Sequence, residues 1–345
     1  MMTWSWENAS VLITGVCGTV GRELLRQVVA EHPRSVRGLD NNESELFFLR
    51  EAYRDHPTVH LFLGDIRDKD TMLRQTEGVT VILHAAALKH VILCEESPRD
   101  PILTNILGTQ NVIDAALTHG VQRVLFTSSD KAVNPTNVMG TSKLMGERLI
   151  TAANAHRAPG GTIFASTRFG NVLGSRGSVI PLFMRQIAAG GPVTLTDTRM
   201  TRYIMTLQEA VRLVMDSVSL AIGGEVFVTK MAVTRIADLA EVMIEELAPR
   251  HGFKSKEIER KIVGPKAGEK LYEELMNDEE TRRAIELERY FVITPAFKSV
   301  YETITYTYEN IVQGSAMQPY NSSVVPAMTR EELRAYLQTH HLLTP

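Results

Sequence analysis

The sequence predicts an α/β fold: a doubly wound parallel sheet followed by a smaller C-terminal domain. Three observations predict it. From Ser10 to Ser166 short β-branched or apolar runs alternate with longer stretches of helical periodicity, which implies parallel strands joined by right-handed crossovers. The first run passes through a glycine-spaced turn into a helix. After about Arg168 the texture changes, with Gly170, Gly174, Gly177, Pro181, Gly190, Gly191 and Pro192 in close succession.

The predicted strands are 11–14, 36–39, 59–63, 79–84, 123–128 and 162–165. Helices are predicted over 20–31, 43–53, 98–118 and 140–156. Beyond Arg168 the reading is of loops and short helices outside the sheet, with helices over 207–222, 234–248 and 329–339. Residues 1–170 therefore form one domain. Residues 171–345 form a second, with some segments returning to the first.

Composition excludes several classes. The 345 residues are 44% hydrophobic and 22% charged, with a net charge of −3, which argues against a general nucleic-acid partner. Cys17 and Cys94 are too few and too far apart for a disulfide framework or a zinc site, so no metal is expected. No basic segment followed by an apolar stretch opens the chain, and no run reaches about 18 apolar residues. The expectation is a cytoplasmic protein without a membrane span.

The run 11–14 leads into Gly15-Val16-Cys17-Gly18-Thr19-Val20-Gly21 and then a helix. Glycines there let backbone N–H groups approach a pyrophosphate, and the helix N-terminus adds its dipole. The candidate cofactor contacts are Gly15, Cys17, Gly18, Thr19, Val20 and Gly21. Asp40, at the end of the second strand, suits ribose hydroxyls and would repel a 2′-phosphate, favouring NAD over NADP. A turn aspartate in LDNNES is the alternative, and the nearby Arg37 keeps NADP open. Asp65 and Ile66 follow the third strand, where adenine would pass. Ala85, Ala86 and Ala87 follow the fourth and allow close backbone approach. His84 reads as a packed histidine rather than a base, and Asn105 as a bonding partner of backbone near the site.

The fifth strand ends in Thr127-Ser128-Ser129-Asp130-Lys131, at the sheet end where open α/β proteins bind ligands. A short-chain dehydrogenase carries Tyr-x-x-x-Lys on the following helix, both on one face. Here the pair is Met139 and Lys143. A thioether cannot remove a proton, so another group must act if the chain is catalytic.

The stretches AAALKHVILCEESPRDPILTNILGTQNV, SSDKAVNPTNVMGTSK, RFGNVLGSRGSVIPLF, MTRYIM, GPKAGEKLYEELMNDEE and SSVVPAMTREELRAYL together resemble the UDP-N-acetylglucosamine 4,6-dehydratases of bacterial polysaccharide and glycoprotein synthesis, which are extended short-chain dehydrogenases on a Rossmann sheet. The similarity covers nearly the whole chain. Several members of that family carry Met in place of the Tyr. The resemblance implies an NAD-dependent lyase acting on a UDP-sugar, with residues 1–170 binding NAD and 171–345 mainly binding substrate, and it implies a homo-oligomer by analogy. It implies that hydride leaves C4, that Lys131 takes the C5 proton while Asp130 protonates the departing C6 hydroxyl, and that hydride returns to C6. Burial would favour a protonated Asp130; desolvation, Lys143 and the nicotinamide would favour a neutral Lys131. Lys143 would hold the nicotinamide ribose and Ser129 would bond the C4 hydroxyl. Ser129, Asp130 or a water stay open as the group that takes the C4 hydroxyl proton.

For the substrate, Lys89 and His90 follow the fourth strand, and Arg168, Asn171, Arg176, Ser178, Val179, Arg202 and Glu269 lie in the matching motifs. Arginines suit diphosphate recognition. Met145 and Met184 are expected in the core. GEKLYEEL and the DNNE segment look more like the enzymes that retain C5 configuration than those that invert it. A UDP-hexose 4-epimerase and a non-catalytic NAD(H)-sensing protein are the alternatives.

Overall fold

A computed structural model describes residues 4–155, 160–174, 178–264, 269–297, 304–309, 311–313 and 318–343. In chain order it opens with β1 (Ser10–Thr14), α1 (Thr19–Ala30), β2 (Ser35–Asp40), α2 (Glu43–Ala52), β3 (Val59–Leu63), α3 (Lys69–Thr76) and β4 (Val81–His84). Then come α4 (Val91–Glu96), a single helical turn α5 (Arg99–Pro101), a π-helix (Ile102–Gly108), α6 (Thr109–Thr118), β5 (Arg123–Thr127), α7 (Val138–Ala152) and β6 (Ile163–Arg168). The rest comprises β7 (Asn171–Val172), α8 (Val179–Ala188), β8 (Val193–Leu195), β9 (Thr201–Met205), α9 (Leu207–Leu220), β10 (Val226–Thr229), β11 (Ala232–Arg235) and α10 (Ile236–Leu247). It closes with β12 (Arg260–Ile262), β13 (Glu274–Met276), α11 (Asp278–Thr281), β14 (Ala284–Leu287), β15 (Tyr290–Ile293), β16 (Ile311–Gln313), β17 (Tyr320–Asn321) and α12 (Arg330–Thr339).

The chain divides into two compact units. One comprises Met1–Phe169, Val211–Thr229 and Asp278–Gln318; the other comprises Gly170–Ala210, Lys230–Asn277 and Pro319–Pro345. The first unit is built on a ten-stranded sheet of order β16-β14-β15-β10-β6-β5-β4-β1-β2-β3. From β3 to β10 every neighbouring pair is parallel. Strand order reverses at β1, which lies between β2 and β4, and that reversal opens a ligand crevice at the carboxyl ends of the strands. Local chemistry sets the elements. All five residues of β1, SVLIT, are buried, as a strand covered on both faces requires. The side chain of Asn42 caps α2 by accepting from the Glu45 N–H, with Glu43 and Glu45 in the first turn. Asn137 caps α7 through the Gly140 N–H. Leu12, Leu39, Ile82, Val112, Val124, Phe126, Ile150 and Phe164 pack in one apolar cluster beside the sheet.

The central sheet is parallel-dominated as expected, and β15, β14 and β16 add an antiparallel edge beyond β10. Three expectations are corrected. The predicted helix over 98–118 is interrupted, because a π-helix occupies Ile102–Gly108 between α5 and α6. Met145 is 46% exposed and is not core, since on α7 it faces away from the side that buries Ser142, Lys143, Gly146 and Glu147. The second unit also holds more than loops. It has a three-stranded sheet of order β11-β9-β7, two two-stranded sheets, and a core of α8, α10 and α12 residues such as Phe183, Leu239, Met243, Leu333 and Leu337. Met184 packs against that core.

Candidate active site

The loop after β1 works through backbone. Gly15 has φ +70°, and a Cβ on it would lie 2.7 Å from the Ala86 Cα. A Cβ on Gly21 would overlap the Gly15 carbonyl oxygen. Gly18 is the N-cap of α1 and no side chain caps the helix, an arrangement of first-turn N–H groups that suits an anion. Asp40 braces the loop: one carboxylate oxygen accepts from the Cys17 N–H at 2.9 Å, the other from the Asn42 N–H at 2.9 Å. The Cys17 thiol is buried beside Asp40, and burial first, then that carboxylate, pushes it up to about 12. The thiol stays protonated, and it is the Cys17 backbone N–H that engages Asp40.

The neighbouring strand ends fit the same purpose. The Asp65 carboxylate accepts from the Arg67 guanidinium and N–H and from the Asn41 amide. Ile66 is buried against Gly108, where a Cβ would meet its side chain at 2.7 Å. Ala85 donates its N–H to the Thr14 carbonyl and Ala86 to the Thr14 hydroxyl; Ala87 is half-buried. Arg37, the residue that kept a 2′-phosphate in play, donates instead to the carbonyls of Gln75 and Glu77. His84 is fully buried between the Thr14 and Thr109 hydroxyls, at 2.7 and 3.1 Å. Burial, and secondarily Lys143, lowers it to about 3 and keeps it neutral, as befits a packed histidine. Asn105 sits on the π-helix with both functions used: it accepts from the Leu88 N–H, and it donates to the Leu88 carbonyl and the Ser142 hydroxyl. Ser142 in turn donates to the Met139 carbonyl, so Asn105 links the loop carrying Lys89 and His90 to α7. Lys89 and His90 are themselves exposed.

The loop after β5 works through side chains. Ser129, Asp130 and Lys131 enter a single 3₁₀ turn whose N-cap is Ser129. Asp130 is 4% exposed, and its N–H donates to the Phe169 carbonyl. Lys131, 34% exposed along its side chain, places its ammonium 3.1 and 3.0 Å from the two Asp130 oxygens. The Ser129 hydroxyl donates to Asp130 Oδ1 at 2.7 Å and accepts from the Lys131 N–H at 3.3 Å. A Cβ on Gly140 would overlap the Lys131 carbonyl oxygen, so this glycine lets α7 lie against the turn. Met139 is 3% exposed. Lys143 is buried, donates to the Thr127 carbonyl at 2.9 Å and lies 4.7 Å from the centre of the Phe126 ring. Burial lowers it to about 8, with Glu147 acting in the opposite sense.

Arg168 departs from its expected role as a phosphate contact. It is 1% exposed, and its guanidinium bonds Glu147 at 2.6 and 3.0 Å and Glu280 at 3.0 and 3.1 Å. Two buried carboxylates match the fork of donors, which makes Arg168 a clamp between β6, α7 and α11. The sequence signal was present but scattered, because Glu280 lies 112 positions away.

In the second unit Arg202 is also enclosed. It donates to the carbonyls of Thr201, Lys270 and Leu271 and lies 3.4 Å from Glu273 and 3.6 Å from Glu269. That surrounding of oxygens runs against a phosphate contact from Arg202, and it ties Glu269 to the same cluster. Asn171 pairs with Ile204 at the start of β7. Ser178 is the N-cap of α8, and its hydroxyl oxygen is buried with no partner among the described residues. Val179 packs on the core of the unit. Arg176 lies outside the described residues.

The parallel sheet with its reversal at β1, the glycine turn into α1 and the Lys143-bearing helix define the chain as a Rossmann-type protein of the extended short-chain dehydrogenase class. Residues 11–295 match the family described as polysaccharide biosynthesis protein, and the chain belongs to that family. It is 49% identical over 290 residues to the uncharacterized membrane protein MJ1061 of Methanocaldococcus jannaschii, covering 84% of this chain and 87% of that one. It is 37% identical over 297 residues to a Campylobacter jejuni protein named UDP-N-acetylglucosamine 4,6-dehydratase (inverting), covering 86% and 85%. Among solved structures it resembles Pen from Bacillus thuringiensis, with a TM-score of 0.90 and 41% identity over 98% of this chain and 99% of that one. No helix among the described residues is long and apolar enough to cross a membrane.

Proposed function

We infer that the protein is an NAD-dependent 4,6-dehydratase of UDP-N-acetylglucosamine, a lyase that makes the 4-keto-6-deoxy sugar for a surface polysaccharide or glycan. The observation that carries the reading is the contact between a buried carboxyl group and an amine, Asp130 and Lys131, on consecutive residues beyond a strand of the parallel sheet. Loss of water from C5 and C6 needs one acid and one base together. A 4-epimerase needs neither and depends on the tyrosine that Met139 replaces. A purely sensing protein would have no use for the pair.

NAD suits the loop after β1: the uncapped N-terminus of α1 would take the pyrophosphate, Asp40 would face the ribose hydroxyls, and Lys143 would hold the nicotinamide ribose. The engagement of Arg37 elsewhere speaks against a 2′-phosphate site. When bound, the dinucleotide supplies the hydride exchange, taking one from C4 and giving it back at C6. The protein's own part is to bind and orient the sugar and to move protons. Once C4 is a ketone the C5 proton is acidic; Lys131 removes it, and Asp130 protonates the C6 oxygen as it leaves.

Retention at C5 is the stereochemical reading, resting on GEKLYEEL and DNNE; the name of the Campylobacter relative favours inversion as a second reading. Incubation with UDP-N-acetylglucosamine tests all of this. The expected product has lost one water, and its C5 configuration follows from proton couplings. Unchanged mass with an inverted C4 would make the protein an epimerase, and unreacted substrate would leave only the sensor.

A further inference from the structure

The two end strands of the ten-stranded sheet are finished differently. At one end β16 is three residues long and joins β14 with a shifted register. At the other end β3 keeps five regular pairs with β2, and its sequence, VHLFL, contains no proline, lysine or carboxylate and no bulge. Thr58 accepts from the Val36 N–H and Gly64 donates to the Asp40 carbonyl. The parallel ladder therefore takes the main-chain groups of alternate residues, and those of Leu61 and Leu63 face away from β2. The side chains of Phe62 and Leu63 are exposed. A regular apolar edge with nothing to blunt it is a template for a further strand.

Helix α2 overlooks that edge. Arg50 and Arg54 line a groove together with residues 59–62 of β3, whereas Glu45 pairs with Arg22 of α1 on the other flank. With about 100° between successive residues, Glu43, Phe47, Arg50 and Arg54 form one stripe along the β3 side of the helix. The stripe is acidic at its start, aromatic in the middle and basic at its end. Phe47 is 61% exposed, and Phe48 beside it meets it edge to face. Arg54 pairs with Glu51 of its own helix. The side chains of Glu43 and Arg50 make no hydrogen bond or ion pair among the described residues.

We propose that a second copy of this chain covers this face, with β3 paired antiparallel to β3 across a two-fold axis and α2 packed antiparallel on α2. An axis normal to the sheet sets the two strands about 4.8 Å apart and leaves both α2 helices on one side of the joined sheet. Reversing α2 against itself about the midpoint between Phe48 and Leu49 puts Glu43 of each copy opposite Arg54 of the other. Phe47 then falls opposite Arg50, a cation over a ring. Each contact is made twice, as a self-complementary interface requires. An open strand edge accepts any strand; the charge order of the stripe is what selects a second copy, because the reversed helix presents arginine where α2 presents glutamate. The contact lies apart from Asp130 and Lys131 and stands whether or not the dehydratase reading holds.

Sedimentation of the purified protein over a range of concentrations, together with hydrogen exchange of the β3 amides, tests the proposal. The wild type is expected as a dimer or a larger even-numbered assembly, with the Leu61 and Leu63 amides slow to exchange. Phe47→Glu should weaken association by about 10²-fold, bring the mass to half or less and free those amides, while the exposed position keeps the melting temperature. Glu43→Arg sets like charges opposite one another and should weaken association by about 10-fold. Adding Arg54→Glu to it exchanges both members of the pair and should restore the wild-type mass. A wild type with the mass of one chain at every concentration overturns the proposal, and so does Phe47→Glu at the wild-type mass. A wild-type assembly whose Leu61 and Leu63 amides exchange freely is held by another face, which overturns it as well. A loss in Glu43→Arg that Arg54→Glu fails to repair overturns the reversed-helix contact and with it the choice of a second copy.

Discussion

The loops after β1 and after β5 leave the same end of one sheet, yet they specify function in opposite ways. The first depends on atoms that are missing. Gly15 and Gly21 sit where a Cβ would strike backbone, and the groups that the proposed function would use there are main-chain N–H donors, which every residue but proline possesses. The second depends on functional groups: a hydroxyl, a carboxyl and an amine on consecutive residues, joined by bonds of 2.7 to 3.1 Å. A backbone site fails through shape and a side-chain site through chemistry. The contrast predicts that substitutions in the first region cost stability and dinucleotide together, whereas substitutions in the second separate stability from turnover.

The largest effect is expected at Arg168, which supports the second region without reacting. Arg168→Ala removes the guanidinium that neutralises the buried Glu147 and Glu280, for a loss of about 3–5 kcal/mol in urea unfolding. A loss no larger than that of a surface arginine would dissolve the clamp. Next comes Gly21→Ala, whose methyl meets a carbonyl that cannot move aside; about 1–3 kcal/mol is expected, with the dinucleotide absent from whatever protein folds. Retention of both would erase the contrast between the loops. The smallest effect, and of opposite sign, is expected for Lys143→Met. Lys143 has its folded value lowered from 10.5 to about 8, so between those pH values the unfolded chain binds the extra proton and wild-type stability rises with pH. The Met variant lacks that cost and should be more stable at pH 7 by about 1 kcal/mol, the advantage shrinking above pH 8, while turnover is lost. A Met variant less stable at every pH would show that the Thr127 bond outweighs burial of the charge.

Much of this was legible because it is local. The glycine spacing at 15, 18 and 21, Asp40 at the end of β2 and the Asp130-Lys131 pair all lie within short stretches whose geometry a strand–turn–helix dictates. Long-range satisfaction was not legible. Arg168 looked like a phosphate contact since nothing near it in sequence shows that Glu280 neutralises it, and Arg202 is occupied by carbonyls from 270 and 271. Edge strands β14 to β16 escaped notice because antiparallel pairing of three- and four-residue segments leaves no periodicity to read. Met145 looked apolar enough for the core, but its place on α7 turns it outward.

The wide turns at Ile102–Gly108 carry a consequence for how the chain can vary. Asn105 reaches Leu88 and Ser142 from a segment wound with more residues per turn than the α-helices on either side. Removing one residue there would let the segment rewind as ordinary α-helix and swing the asparagine by about 100° around the axis. Length in this stretch is thus as constrained as identity, and a one-codon deletion tolerated in a surface loop would here disconnect the loop carrying Lys89 from α7.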